Sequence, residues 1–253
     1  MNDTIHTQLQ HRSIREFKQE PFNQDQLQLL MEVARHTATS SGLQAASIIN
    51  ITDPNLKKQI ALLCNQEYIG RIPLLLIFIV DQARNQQIAL AQGVQSEGAA
   101  GMDSFFQSFT DACIMAQNVV IAAESMGLGT LYIGSIHNDP AELCALLKLP
   151  PLTFPVVGLG IGIPNQDPSL KPRMSMSLRS FENTYQAPKD ILAALSEYDE
   201  LMQTYYDLRD TNRRLDSFTI QVAKRITAHN LKRQELLNVV ADQGFLLRLK
   251  KIQ

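Results

Sequence analysis

Tryptophan is absent from this chain of 253 residues, and cysteine occurs only at Cys64, Cys113 and Cys144. The three are widely spaced, with no CxxC and no Cys/His ligand pattern, so neither a disulfide framework nor a zinc site is supported. An excess of one charge is also lacking. The 23 Lys and Arg face 25 Asp and Glu, which leaves no global field to draw the chain onto nucleic acid or an acidic membrane. Long apolar runs are missing too: the longest, IPLLLIFIV from Ile72 to Val80, is too short to span a bilayer and predicts a buried strand. The opening MNDTIHTQLQ shows no basic start followed by an apolar core, so no secretory leader is expected and a cytoplasmic protein is the simplest reading. Neither internal repeats nor low-complexity tracts occur.

What is present is a mixture of helix and strand patterns on a chain long enough to bury a real core. TIHTQLQHR predicts a short amphipathic helix capped by Thr4 or Asp3, and NQDQLQLLMEVARHTA a second with Leu27, Leu30, Met31 and Ala34 on one face. TATSSGLQAAS is rich in loop formers, SIINITD is a short strand, and PNLKKQIALLC is a helix with Pro54 in its first turn. Residues 93–97 predict a variable loop. From Asp103 to Gly127 runs a long helix, nearly uncharged between Asp111 and Glu124, which needs cover on most sides from a core or from a partner subunit. GTLYIGSI predicts a strand, and NDPAELCALLKL a helix capped by Asn138 or Asp139 with Pro140 at its first position. FPVVGLGIGIP is a glycine-spaced strand. From Pro188 onward the pattern turns helical and polar, passes an arginine-rich loop, and closes with RQELLNVVADQ before Gly244.

Chemistry is concentrated in cations. HRSIREF places His11, Arg12 and Arg15 within five positions with nothing acidic between them, and Arg12 and Arg15 would share a side if they lay on a helical turn. Lys171 and Arg173 add a second cluster, stiffened by Pro172. Two such clusters suit a phosphate held by charge-assisted contacts, and they also suit a solvated surface. GLGIG superficially resembles a dinucleotide fingerprint but leads into Pro164 and a polar loop instead of a helix, which favours close packing of another backbone on the strand. Cys113, inside the apolar helix, reads as inert core. No Ser–His–Asp set and no histidine pair with metal spacing is found.

Taken together, HRSIREF, TSSGLQAASIINITD, AQNVVIAAESMGLGTLYIGSI, LKLPPLTFPVVGLGIGIP, LKPRMS and ENTYQ resemble the nitroreductase superfamily, and within it the branch of oxygen-insensitive NADPH nitroreductases and NADPH–flavin oxidoreductases. The likeness runs in order from about Thr4 to Tyr206. It implies an α+β fold, a central mainly antiparallel sheet wrapped by helices, in an obligate homodimer with non-covalent FMN at the interface. It implies one FMN-dependent domain over residues 1–253 with a mobile helical and basic excursion around 188–230. His11, Arg15, Lys171 and Arg173 would surround the FMN phosphate. Arg12 and Ser13 would lie along the ribityl chain and pyrimidine, and Thr39, Ser40 and Ser41 would reach the flavin of the other subunit. Gln66 and Tyr68 would meet the ring edge, and Tyr132, Ile133, Gly134 and Ser135 would pass close to its reactive face. Arg209 and Arg213 would read the 2′-phosphate of NADPH.

The implied activity is ping-pong hydride transfer from NADPH to FMN, then to nitroaromatic, quinone, azo or free flavin acceptors. Alternatives are a flavin-dependent reductase for disulfides or S-nitrosothiols and a non-catalytic FMN-binding sensor. No catalytic side chain and no metal are expected, because the flavin carries the electrons. The chain departs from the family pattern at Ser135, where a second glycine is frequent, and at His137, where an arginine is. Both bear on acceptor choice.

Overall fold

A computed structural model describes residues 1–205, 216–228 and 230–248. Four strands form one antiparallel sheet in the order β1-β2-β4-β3: β1 is Ala46–Ile51, β2 Leu74–Asp81, β3 Gly129–Ile133 and β4 Thr153–Gly162. The apolar run forms β2, a central strand buried on both faces. Alternate side chains of a strand point to opposite faces, and here they feed two cores. Leu74, Leu76, Phe78 and Val80 pack with Leu30, Val119, Val120 and Phe154, whereas Leu75, Ile77 and Ile79 pack with Ile14, Ile60, Ile133 and Ile136.

The glycines of β4 lie on the second face. A Cβ on Gly160 would come within 2.8 Å of Ile72, and one on Gly162 within 2.9 Å of Phe17 and Pro73. The close packing expected of GLGIG is therefore real, but side chains rather than another backbone occupy the space.

Helices α1 (Asp3–Leu9), α2 (Gln24–Arg35), α3 (Pro54–Cys64), α4 (Gln82–Ala91), α5 (Met102–Ser125) and α6 (Pro140–Leu146) surround this sheet in sequence. Asn2, not Thr4 or Asp3, caps α1, its side chain accepting from the Ile5 N–H at 3.0 Å. Asp53 and Asp139 cap α3 and α6, each with proline in the first turn. α4 appears where the sequence shows no apolar stripe. It starts on Asp81, which accepts from the Arg84 N–H, and Gln82 donates inward to Ser108. α5 buries Phe105, Ala112, Ala116 and Val119, yet its opposite face carries Phe106, Thr110, Cys113 and Gln117 in the open. Cys113 is thus exposed rather than core.

By its contacts the chain divides into two units, Met1–Asp167 with Asn230–Gln253, and Pro168–His229. The first unit also holds the short helices α9 (Leu231–Gln234) and α10 (Leu236–Asp242), after which Gly244, at φ +89°, turns the chain to bury Phe245. In the second unit α7 (Ile191–Thr204) and α8 (Phe218–Thr227) are joined by Asp199. Its carboxylate accepts from the N–H and hydroxyl of Thr219 at 2.9 and 2.5 Å, a fitting place for a negative charge at the start of α8. Tyr198 packs against Phe218 with the rings tilted by 59° and their centroids 5.1 Å apart. No helix among the described residues is long and apolar enough to cross a membrane.

Candidate functional site

HRSIREF is extended, not a helical turn. Ser13 pairs in parallel with Thr130 of β3, the Ile14 N–H donates to the Thr130 carbonyl at 2.9 Å, and Phe17 pairs with Pro164. Ile14 fits because residue 129 is glycine: a Cβ there would sit 2.7 Å from it. Arg12 and Arg15 consequently do not share a face. The Arg12 guanidinium turns to Asp167 at 2.5 Å, with its Nε buried and unpartnered among the described residues. Arg15 is anchored through its backbone, the N–H donating to Gln166 Oε1 at 2.9 Å, and its guanidinium has no partner among the described residues. His11 Nδ1 lies 2.7 Å from Glu124 Oε1, which also accepts from the Thr130 hydroxyl at 2.5 Å. A carboxylate can only accept, so His11 carries its proton on Nδ1 and offers Nε2 to a ligand.

Three extended steps of β3, roughly 10 Å, separate Thr130 from Ile133 at the other end of the strand. There Ile133 is buried and the sheet stops. Gly134 to Asn138 form a 3-10 turn, earlier than the strand expected from GTLYIGSI would end. A Cβ on Gly134 would meet nothing within 4 Å, so the space before it is open. Ser135 Oγ donates to Gln66 Oε1 at 2.8 Å, and Tyr68 Oη donates to the same oxygen at 2.9 Å. Tyr132 leans back on α5, its hydroxyl 3.1 Å from Gln117 Oε1. Burial, and then the charges of Cys113 and Glu124, push its phenol well above the usual tyrosine range.

Thr39, Ser40 and Ser41 form a turn elsewhere on the first unit. Ser41 is left-handed at φ 53°, and the N–H and hydroxyl of Ser40 donate to Asp111 Oδ1 of α5 at 2.8 and 2.9 Å. Lys171 and Arg173 belong to the second unit, both exposed, the Arg173 Nη1 donating to the Lys171 carbonyl at 2.9 Å. Arg209 and Arg213 lie outside the described residues.

Three contributors are not in the expected set. Glu124 holds His11 across 113 positions of sequence, and Asp111 holds Ser40 across 71. Arg233 donates from Nη1 to the Gly134 carbonyl at 3.0 Å. The acidity flanking the uncharged stretch of α5 was the only available signal for the two carboxylates. His137 is stacked on Phe154 and hydrogen-bonded through Nε2 to the Pro155 carbonyl at 2.8 Å. Burial lowers its pKa, with the carbonyl opposing and Arg233 adding to the shift. Among the described residues no group of three or more His, Cys, Asp or Glu could hold a metal ion.

The donor set fits a ligand with an anionic end and a carbonyl-bearing flat end. Arg15 offers an unspent guanidinium and His11 a free Nε2 at one end of β3. The Gln66 amide nitrogen, unpartnered among the described residues, stands with the open face of Gly134 at the other.

Sheet order, the β3 cradle and the motifs define one class: the chain belongs to the nitroreductase family. Residues 9–163 match that family and residues 171–248 match the nitroreductase family C-terminal domain. It is 35% identical over 248 residues to the FMN reductase (NADPH) of Bacillus subtilis, covering 97% of this chain and 99% of that protein. It is equally 35% identical to the oxygen-insensitive NADPH nitroreductase of Salmonella typhimurium, covering 98% and 100%. The structure of the NADPH:FMN oxidoreductase from Vibrio harveyi complexed with NAD+ superposes with a TM-score of 0.85 at 32% identity, covering 98% of this chain and 100% of that one. The four-stranded antiparallel sheet with its helices is the nitroreductase α+β fold.

Proposed function

We propose that this chain is an FMN-dependent NADPH oxidoreductase acting as a homodimer, with nitroaromatics, quinones, azo compounds or free flavin as acceptors. The observation that carries the reading is the two-ended arrangement along β3, with cationic donors beside Thr130 and a neutral amide cluster beside Ser135. His11 and Arg15, with Lys171 and Arg173, are assigned to the phosphate. Arg12 and Ser13 are assigned to the ribityl chain and pyrimidine, Gln66 and Tyr68 to the ring edge, and Tyr132 to Ser135 to the backbone under the ring. When bound, FMN supplies two-electron chemistry that protein side chains lack.

The chain's own tasks are to neutralise the phosphate, orient the ring and leave one face open. Gly134 leaves that space, so reductant and acceptor can use the same opening in turn. Arg209 and Arg213 are assigned to the 2′-phosphate of NADPH. Support for the dimer comes from the apolar side chains left in the open on the first unit: Phe106 at 61% and Ile114 at 38% on α5, Ile5 and Leu9 on α1, and Leu43. Thr39, Ser40 and Ser41, tied to α5 through Asp111, are assigned to the partner subunit's flavin. The assignment of residues 188–230 to an excursion from one FMN-dependent domain falls in part, at 206–215 and 229, outside the described residues.

The test is anaerobic. The purified protein is expected to be yellow, to bleach with NADPH, and to regain colour with nitroaromatic, quinone and flavin acceptors. A yellow protein that NADPH does not bleach would instead be a sensor. Recovery only with disulfides or S-nitrosothiols would move the substrate class. A colourless protein that takes up no FMN overturns the reading.

A further inference from the structure

We propose that Ser135 is a positioning residue that locks the Gln66 amide with its N–H bonds facing the flavin. This rests on the flavin reading above. An amide oxygen has two lone pairs, and both on Gln66 are taken, one by Ser135 Oγ at 2.8 Å and one by Tyr68 Oη at 2.9 Å. The nitrogen end is left to a ligand, as a double donor.

An amide could in principle turn round, because hydroxyls accept as well as donate. Here both hydroxyls donate, and to the same atom, so the oxygen end of the amide faces them. The polarity runs one way, from Ser135 and Tyr68 to Gln66.

The backbone holds the parts in register. Asn65, left-handed at φ 52°, turns the chain so that Gln66 leaves α3 beside the 3-10 turn, and Asn138 Nδ2 donates back to the Cys64 carbonyl at 3.1 Å. A glycine at 135 would leave Tyr68 alone on the amide oxygen.

The consequence is chemical selectivity at the ring edge. The flavin pyrimidine presents carbonyl acceptors on either side of a ring N–H. A locked double donor matches a carbonyl and opposes the N–H. Its hydrogen bond strengthens as the ring gains electron density, so the lock favours the reduced flavin as well as the bound one.

The experiment uses the full-length protein freed of FMN, titrated with FMN by fluorescence quenching, and the reloaded protein in anaerobic potentiometry. Ser135→Ala is expected to weaken FMN about two- to tenfold, the range of one neutral hydrogen bond, and to lower the flavin potential. Ser135→Thr keeps the hydroxyl and is expected within about twofold of the parent on the same scale. Ser135→Gly provides a second hydroxyl-free variant should the alanine disturb the turn. In a Gln66→Ala background the loss of the hydroxyl is expected to change neither value. FMN binding with equal affinity and potential across all Ser135 variants overturns the role of Ser135 alone. An undiminished effect in the Gln66→Ala background overturns the route through Gln66. A parent protein that binds no FMN overturns the flavin reading itself.

Discussion

The two ends of β3 are built from opposite chemistry. At Thr130 charge dominates: the Glu124 carboxylate holding His11, Arg12 against Asp167, and Arg15 with its charge unspent among the described residues. At Ser135 the groups are neutral, two hydroxyls converging on one amide oxygen. Charge attracts an anion from many directions and tolerates imprecise geometry, whereas a neutral hydrogen bond contributes only about 0.5–1.5 kcal/mol and only when aligned. The ionic end is therefore suited to retaining a phosphate, and the neutral end to orienting a ring. One short strand fixes their separation, so affinity and orientation can be altered independently.

The sharpest way to break that division is at the ionic end. Arg15→Ala with Arg173→Ala is expected to release FMN, because each charge-assisted contact contributes about 1.5–3 kcal/mol, together some two to four orders of magnitude in affinity. The flavin-to-protein ratio after gel filtration reports it. A double variant that purifies with full FMN would show that the phosphate lies elsewhere.

Glu124 sharpens the comparison, because of the two carboxylates named at this end it is the shielded one and Asp167 the exposed one. Side-chain exposure of 12% leaves it little water, and it serves two donors, His11 Nδ1 and the Thr130 hydroxyl. Glu124→Ala strands both and is expected to cost about 1–3 kcal/mol of unfolding free energy in urea. Its effect on FMN has a sign that decides the mechanism. If the carboxylate acts by orienting His11, FMN binding weakens several-fold. If it acts on the phosphate by charge alone, removing it tightens binding.

How much of this was legible depends on whether a signal was local. PNLKKQIALLC gives a helix with the expected bounds, because Asp53 and Pro54 start it by side-chain and ring chemistry that needs no tertiary contact. IPLLLIFIV could only be a buried strand. By contrast, α4 rests on a single buried glutamine and a cap, and its sequence has no apolar stripe to read. Spacing suggested a helical turn for HRSIR, yet a bridge to Thr130, far along the chain, makes it extended. Cys113 looked like core because apolar residues flank it, but a helix with one open face leaves such positions exposed. The cation clusters stand out by spacing alone, whereas their flavin roles and Gln66 enter only through the family likeness. Glu124, Asp111 and the Ser135–Gln66 link were not legible, since each joins residues distant in sequence and shows only when the chain is folded.

The smallest expected effect tests the neutral end by pH. His137 follows Ser135 by two positions and must stay uncharged there: it is packed on Phe154, donates from Nε2 to the Pro155 carbonyl, and has Arg233 nearby. Its folded pKa lies below the ordinary 6.5, chiefly through burial. A histidine harder to protonate when folded binds fewer protons in the native state than in the unfolded chain. Its stabilising contribution is therefore complete above about pH 6.5 and declines as pH falls from there toward the folded pKa, at no more than about 1.4 kcal/mol per pH unit. Urea unfolding at pH 7.5 and 5.5 isolates this residue when the parent is compared with His137→Gln, which cannot titrate. The parent is expected to lose more than the variant over that interval, by no more than about 1.4 kcal/mol. Equal losses would mean that the ring takes up its proton in place, and that this end of β3 tolerates charge as the other does.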